Sequence, residues 1–271
     1  MLYIASLLTL LIGSFLNVII YRLPLSMKNN LIQDYEIFIK KNIDYKKEKI
    51  SIAFPSSHCT HCKTSIKYYD NIPILSYFIL KGKCRHCNHK ISLQYPVVEL
   101  LSLLSGFTTF FFLGINITSI AIVILLLSLI TLSFIDFKYK ILPDAITISL
   151  VWLGLLIAFF EYGIVNFKES FISVIVFYVF IRVITDVTSF ILSKDAMGYG
   201  DIKLIAAIAA FLGIENTLHV ILYASIITVI LYIPYKKMTN STIIPFGPSL
   251  SIATAVVIYL LMLTKSIGVL I

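Results

Sequence analysis

Residues 117–135 read ITSIAIVILLLSLITLSFI, a run without one charged side chain. A transmembrane helix needs about 20 predominantly apolar residues, so this run is long enough to cross a bilayer. The whole chain has 271 residues, of which 59% are hydrophobic and 13% are charged. This composition excludes a soluble domain, a coiled coil and a disordered chain, because each of them needs more polar surface. The sequence therefore predicts a polytopic integral membrane protein.

Seven further apolar runs predict seven more membrane helices. The eight predicted spans are Leu2–Tyr21, Pro96–Leu113, Ile117–Ile135, Ala145–Phe160, Phe171–Leu192, Ile202–Leu212, Leu218–Tyr235 and Leu250–Ile271. The predicted fold class is an all-α polytopic membrane protein of about eight transmembrane helices. We expect residues 1–21 to form the first helix, 22–95 a polar loop domain that holds all four cysteines, and 96–271 a seven-helix core.

The positive charge of the chain lies almost entirely in one set of loops. The formal net charge is +8, with 22 lysines and arginines against 14 acidic residues. When eight spans alternate in direction, nearly all the basic residues fall on the same side as the 22–95 loop. The positive-inside rule predicts that this side is cytoplasmic, with both termini outside the plasma (inner) membrane. The basic character thus reflects topology, and no nucleic-acid partner is expected.

Two cysteine pairs in the polar loop have the spacing of a metal site. Cys59 and Cys62 form one C-x2-C pair, Cys84 and Cys87 form the other, and each motif reads C-x-H-C-x3-I. Two such turns supply four thiolates, which predicts a structural Zn²⁺ in a duplicated knuckle. Two disulfides are the alternative, but a cytoplasmic loop keeps its thiols reduced. Four nearby histidines could replace a ligand, although we expect solvated or supporting roles: they are His58, His61, His86 and His89.

Five carboxylates lie inside or at the ends of the predicted spans, namely Glu99, Asp136, Asp144, Asp186 and Asp201. Such groups are costly against lipid, so each needs a partner or a function. Asp186 follows Arg182 by one helical turn, and the two are predicted to pair. Glu99 near the start of a span suits the helix dipole. Asp144 is predicted to cap the helix that begins after it.

Asp136 and Asp201 have no such simple explanation. Asp136 ends the third predicted span, where the helix dipole disfavours a carboxylate. Asp201 follows Gly198 and Gly200, and from Asp201 to Gly213 the predicted helix is about 18 Å long, against a hydrocarbon core of about 30 Å. Non-helical glycine backbone at that depth must be buried in protein or line a water-filled cavity. The sequence therefore predicts a hydrated pocket at Asp201.

Two carboxylates that face one pocket are the apparatus of an aspartic protease. Like charges a few ångströms apart cannot both ionise cheaply, so the pair shares one proton. One carboxylate then acts as a base toward a water while the other donates to the scissile carbonyl. A proton- or ion-coupled transporter with a zinc-ribbon regulatory loop is a second interpretation. A scaffold whose aspartates only cap helices is a third.

The order of short motifs along the chain resembles that of the type IV prepilin peptidases, a family of membrane aspartic proteases with a GxGD active-site motif. The resemblance runs nearly end to end. Its segments are Gly13–Val18 with Tyr21–Pro24, the cysteine module, Asp70–Pro73, Tyr95–Glu99, Ile135–Asp136 with Leu142–Asp144, Met197–Leu204 and Ile244–Pro248. One departure is Thr60, where the family often has proline. We expect this change to alter the knuckle turn and not the metal.

The resemblance implies that the chain cleaves the leader peptide of prepilins or prepilin-like proteins at the cytoplasmic membrane face. The catalytic pair that it implies is Asp136 and Asp201, with Gly198, Gly200, Lys203 and Asp144 as supporting motif residues. Members with a cysteine module commonly also methylate the new N-terminus with S-adenosylmethionine. Methylation is therefore implied here, although the sequence assigns no residue to the methyl donor. The substrate could be a pilin, a secretion-system pseudopilin or a competence protein.

Residues Lys28–Ile50 form a lysine-rich stretch with apolar side chains interleaved. Such a stretch is consistent with an amphipathic helix on an anionic leaflet, or with a solvated loop. Membrane lipid is therefore an expected partner of the chain.

Overall fold

The computed structural model describes residues 1–39, 51, 54, 56–193, 197–239 and 244–264. In these ranges the chain forms α-helices, one 3-10 turn at Tyr68–Asn71 and two isolated β-bridges, which confirms the all-α prediction. The helices are α1 (Leu2–Ile39), α2 (Leu75–Ile79), α3 (Gln94–Leu113), α4 (Ile117–Tyr139), α5 (Asp144–Phe159), α6 (Phe167–Leu192), α7 (Tyr199–Thr239) and α8 (Gly247–Leu263).

Five helices in the described part of the chain are long and apolar enough to cross a membrane. They are α1, α3, α4, α6 and α7, whereas α5 and α8 are apolar but shorter. Helix α7 contains two of the predicted spans, 202–212 and 218–235. It breaks at Gly213, whose φ of 76° and ψ of −174° are not helical. The boundary between these two spans is therefore a break at one residue and not a loop.

The C-terminal ends of α1 and α8 differ from the ends of the predicted spans. Helix α1 passes through Pro24 and ends at Ile39, so the first part of the lysine-rich stretch is helical. Residues 40–50 of that stretch lie outside the described residues, as do 265–271 of the last predicted span. An apolar run ends where polar residues begin, but a helix can continue through polar residues into the aqueous phase.

The described chain divides into two compact units, and the boundary falls inside α3. The first unit is Tyr3–Phe107, with α1, α2, the cysteine module and most of α3. The second unit begins at Thr108 and contains α4 to α8. Within the first unit, α1 and α3 meet at small residues, because a Cβ on Gly13 would lie 2.8 Å from Ser102 Cβ.

The first half of α7, residues 199–212, is the central helix of the second unit. It packs against α5, α6 and α8, and Leu204, Ala207, Ile208, Ala209 and Leu212 have no exposed surface. A helix that is apolar on all sides is buried on all sides. The small residues permit close approach, since a Cβ on Gly154 of α5 would lie 2.6 Å from Ala210 Cβ. This burial fixes the N-terminal end of α7, where Asp201 lies.

The break in α7 depends on glycine at position 213. We expect Gly213→Ala to destabilise the protein by about 1–3 kcal/mol, because its φ is positive and a methyl group would collide with the Glu169 side chain. The measurement is thermal unfolding of the purified protein in detergent. Gly114→Ala is the matched control, because Gly114 also has a positive φ, of 72°, but no atom lies within 4 Å of its added Cβ. Equal losses in the two variants would contradict the predicted collision.

Candidate active site and metal centre

Asp136 lies in the last turn of α4 and is 5% exposed. The helix continues past the end of the predicted span to Tyr139. The Gly247 backbone N–H donates to Asp136 Oδ2 at 2.9 Å, at the start of α8. The carboxylate of Asp136 thus satisfies a free donor at the N-terminus of a neighbouring helix, where negative charge is favourable.

Asp201 is the third residue of α7, and its backbone N–H donates to the Gly198 carbonyl at 3.1 Å. A carboxylate in the first turn of a helix is well placed with respect to the helix dipole. The prediction that glycine backbone before Asp201 is non-helical holds for Gly198 and is wrong for Gly200, because α7 begins at Tyr199. Gly200 instead permits close packing, since its Cβ would lie 2.8 Å from Leu142 Cβ.

The structure brings the carboxylates of Asp136 and Asp201 close enough for their charges to interact. Asp136 comes from α4 and Asp201 from α7, so the pairing depends on packing in the second unit. Gly247 leaves no room beside Asp136, because its Cβ would lie 2.7 Å from Asp136 Oδ2. Two carboxylates that face one substrate can share a proton and perform acid and base steps on it.

Asp144 does not cap α5, and that prediction is wrong. The N-cap residue is Pro143, and no side chain makes a capping hydrogen bond there. Both carboxylate oxygens of Asp144 instead accept from Lys203 Nζ at 2.7 Å. This ion pair joins the first turn of α5 to α7 near its start, two positions after Asp201.

Two other predicted carboxylates have clear partners. Asp186 Oδ2 accepts from Arg182 Nε at 2.8 Å, which confirms the predicted pair. Glu99 lies beyond the first turn of α3, so the dipole explanation is wrong. Its Oε2 accepts the backbone N–H of Ile74 at 2.7 Å. Sequence reasoning missed this contact, because it joins residues 25 positions apart.

The four cysteines form one cluster in the first unit. Their Sγ atoms all lie within 4.8 Å of one another, and all four thiols are free of disulfides. Cys59 Sγ and Cys87 Sγ are 3.8 Å apart. Four sulfurs at about 2.3 Å from one Zn²⁺ would be about 3.8 Å from each other in a tetrahedron. The cluster therefore fits a metal ion with four thiolate ligands.

The two halves of the cysteine module repeat the same backbone bonds. In the first knuckle, Lys63 N–H donates to the Cys59 carbonyl at 2.9 Å, and in the second, Asn88 N–H donates to the Cys84 carbonyl at 3.0 Å. Lys63 and Asn88 both have positive φ, at 58° and 55°. Each knuckle also has one isolated β-bridge. The structure confirms the duplication predicted from the repeated motif.

The thiols of the cluster differ in acidity. Hydrogen bonding from Thr64 lowers the pKa of Cys62 to about 6. A backbone hydrogen bond at His89 lowers the pKa of Cys87, but burial and the neighbouring thiols outweigh it and raise the pKa to about 11. Without a metal, the four thiols of the cluster are therefore ionised only in part. A divalent cation would favour the thiolate form of all four and would balance their negative charge.

An ion pair holds the second knuckle to the 3-10 turn. Arg85 Nε donates to Asp70 Oδ2 at 2.9 Å, and Arg85 also stacks over the Tyr69 ring at 5.6 Å from its centroid. The guanidinium lowers the pKa of Asp70 through this hydrogen bonding. The Asp70–Pro73 segment is thereby joined to the cysteine module.

Two protein-family models match the chain. The Bacterial Peptidase A24 N-terminal domain matches residues 7–113, and the Type IV leader peptidase family matches residues 123–233. The second match contains Asp136, Asp144, Asp201 and Lys203, and the first contains the four cysteines.

Curated relatives are similar over most of their length. The "Type 4 prepilin-like proteins leader peptide-processing enzyme" of Escherichia coli O78:H11 (strain H10407 / ETEC) is 36% identical over 251 residues, which are 93% of this chain and 91% of the relative. The "Prepilin leader peptidase/N-methyltransferase" of Stutzerimonas stutzeri is 34% identical over 254 residues, with 92% and 87% covered. The protein of that name from Neisseria gonorrhoeae is also 34% identical, over 256 residues, with 92% and 87% covered. No solved structure gives a significant match.

The contact between Gly247 and Asp136 predicts a specific steric effect. We expect Gly247→Ala to destabilise the protein by about 1–3 kcal/mol, because the methyl group would overlap the Asp136 carboxylate. The same change in an Asp136→Ala background removes the overlapping carboxylate and should cost much less. Thermal unfolding of the four proteins of this cycle in detergent measures the difference. Additive losses would show that the methyl group and the carboxylate do not compete for space.

Proposed function

Because the chain belongs to the type IV leader peptidase family, we propose that it is a membrane-embedded aspartic endopeptidase that removes the leader peptide of type IV prepilins or prepilin-like proteins. The observation that carries the proposal is the juxtaposition of Asp136 and Asp201, two carboxylates from separate helices whose charges interact. The names of the relatives also describe leader processing. They give no support to a transporter.

In the proposed reaction, Asp136 and Asp201 share one proton. The ionised carboxylate takes a proton from a water as that water attacks the scissile carbonyl. The protonated carboxylate donates to the carbonyl oxygen, and the tetrahedral intermediate then collapses with proton transfer to the leaving amine. The titration belongs to the pair, so neither residue is assigned as the base alone.

The other motif residues have positioning roles in this proposal. Lys203 and Asp144 join the starts of α7 and α5 and thereby hold Asp201 in place. Gly200 lets α7 approach Leu142, and Gly198 leaves space beside Asp201, where a Cβ would lie 3.1 Å from Asp201 Oδ2. The same space could admit the extended backbone of a substrate.

We also propose that the chain methylates the new N-terminus with S-adenosylmethionine. Two of the relatives above are named N-methyltransferases as well as leader peptidases. No residue is assigned to the methyl donor. Incubation of the purified protein with a prepilin and S-adenosylmethionine, followed by mass spectrometry of the product N-terminus, reports cleavage and methylation together.

We propose that the cysteine cluster holds one structural Zn²⁺. Four protein ligands close the coordination sphere, so such an ion would stabilise a loop and would leave no position for substrate. The ligands would be Cys59, Cys62, Cys84 and Cys87.

The proposed topology follows from the distribution of basic residues. It places the cysteine module and the active site on the cytoplasmic side of the inner membrane and both termini outside. The division into a first helix (1–21), a zinc-binding loop domain (22–95) and a peptidase core (96–271) stays a prediction.

The catalytic assignment predicts the effect of removing either carboxylate. We expect Asp136→Asn and Asp201→Asn each to abolish cleavage of a prepilin in detergent, because an amide cannot share the proton. The measurement is a gel or mass-spectrometric assay of the processed product. Asp186→Asn is the matched control, because Asp186 also lies on an apolar helix but pairs with Arg182, and it should keep full activity. Full cleavage by either active-site variant would rule out the proposed pair.

The metal assignment predicts one zinc per chain. We expect Cys62→Ser to lower the zinc content measured by elemental mass spectrometry and to lower the thermal stability, because the small module depends on the metal to fold. His86→Ala is the control, because no histidine belongs to the cysteine cluster among the described residues. Unchanged zinc content in Cys62→Ser would contradict the assignment.

A further inference from the structure

The turn that precedes α2 is attached to α3 by a hydrogen bond to a buried carboxylate. The backbone N–H of Ile74 donates to Glu99 Oε2 at 2.7 Å. Glu99 is 6% exposed and lies beside the Ser14 side chain of α1. A Cβ on Gly13 would lie 3.1 Å from Glu99 Cα, so Glu99 lies beside the apolar run of α1.

The positions of Glu99 along α3 and of Ser14 along α1 indicate that Glu99 lies within the apolar layer. Helix α3 has 20 residues, and at about 1.5 Å per residue its length of about 30 Å matches the hydrocarbon core. Glu99 lies about 7 Å along α3 from Gln94. Its neighbour Ser14 lies about 12 Å along α1 from Arg22, the first charged residue after the apolar run. A helical side chain points toward the N-terminus of its helix, and for α3 this is the end near the membrane surface. Ile74, whose N–H contacts the Glu99 carboxylate, therefore lies slightly nearer the surface than Glu99 Cα, at the edge of the apolar layer.

The backbone of this segment satisfies its own donors. Pro73 has no N–H, and the N–H of Leu75 donates to the Pro73 carbonyl at 2.6 Å. The N–H of Ser76 donates to the Ile72 carbonyl at 3.1 Å. Ile74 has φ 61° and ψ −52°, a strained tight turn for a β-branched residue, and Glu99 accepts its N–H. An unsatisfied N–H is costly in an apolar layer, so these bonds suit a place with little water.

Helix α2 presents an apolar face that the described protein does not cover. Leu75, Phe78 and Ile79 are 59%, 70% and 71% exposed. Their spacing places them together on one side of the helix, whereas Ser76 is buried. Three large apolar side chains on a single turn form a compact patch directly after the segment anchored by Glu99.

The residues that follow α2 carry positive charge. Lys81, Lys83 and Lys90 are exposed and follow the helix. Residues 56–93 contain one acidic residue, Asp70, and it is paired with Arg85. An apolar patch with basic residues beside it is complementary to a bilayer that contains anionic lipid.

We propose that α2 is inserted into the lipid interface, with Leu75, Phe78 and Ile79 at the boundary between headgroups and acyl chains. The Glu99–Ile74 hydrogen bond anchors the helix at that depth, and the lysines that follow contact anionic headgroups. The cysteine module would then be held at the membrane surface and not free in the aqueous phase. The proposal rests on the first unit alone and is independent of the peptidase assignment.

The test uses tryptophan fluorescence. Trp152 is the single tryptophan of the chain, and it is changed to phenylalanine to give a silent background. Phe78→Trp then reports on α2, and Tyr68→Trp is the matched control, an aromatic position of the same module that is 88% exposed. Both full-length proteins are reconstituted in vesicles of phosphatidylcholine and phosphatidylglycerol that contain brominated acyl chains.

We expect the brominated lipid to quench Phe78→Trp several-fold more than Tyr68→Trp, and aqueous acrylamide to quench Tyr68→Trp more. Equal quenching of the two variants by the lipid, at a high or a low level, would overturn the assignment of α2 as the inserted element. Equal zinc content and thermal unfolding of the variants show that the module is folded. Lys81→Gln with Lys83→Gln should weaken the lipid quenching of Phe78→Trp, and no change would overturn the role of anionic headgroups.

Discussion

In a bilayer, a buried polar group must find its partner within the protein, because no water is present to replace it. Three long-range hydrogen bonds in the described part of the chain satisfy buried or partly buried groups in this way. The Asp136 carboxylate accepts the Gly247 N–H at the start of α8. The Glu99 carboxylate accepts the Ile74 N–H, and Ser170 Oγ donates to the Ala210 carbonyl at 2.7 Å. Each bond joins two elements that are distant in sequence and so fixes the position of a helix end or a turn.

The first half of α7 positions one residue of the candidate active site. Because other helices cover residues 204–212 on all sides, the N-terminal turn of α7 that precedes them has little freedom to move. Asp201 lies in that turn, where the helix dipole favours a carboxylate. Asp136 is held by α8 in the same way, at the N-terminus of a different helix. The two proposed catalytic groups are thus positioned by rigid helices and by helix ends, and not by flexible loops.

The cysteine module follows a different physical principle. The segment 56–93 has few buried apolar side chains, so it lacks the core that would stabilise it alone. Its order comes from two equivalent knuckles around four sulfurs, the Asp70–Arg85 pair and the contact between Ile74 and Glu99. A metal ion fits such a module because four thiolate ligands replace the missing core.

The features that depend on near neighbours could be predicted from the amino-acid sequence alone. Apolar runs indicated the membrane helices, the C-x2-C spacing indicated one four-sulfur cluster, and the spacing of Arg182 and Asp186 indicated their ion pair. The motif order also indicated the family. Periodicity and spacing report such features because the interacting residues are a few positions apart, or belong to repeated motifs.

The partners of the isolated carboxylates depend on how the helices pack and could not be predicted from the sequence. Asp144 pairs with a lysine 59 positions away, Glu99 accepts from an N–H 25 positions away, and Asp136 accepts from one 111 positions away. Local helix rules predict that Asp144 and Glu99 act at the starts of their own helices, because such rules consider no other partner. These contacts form only when helices pack, and the donors of α8 and α7 reach the carboxylates through that packing alone.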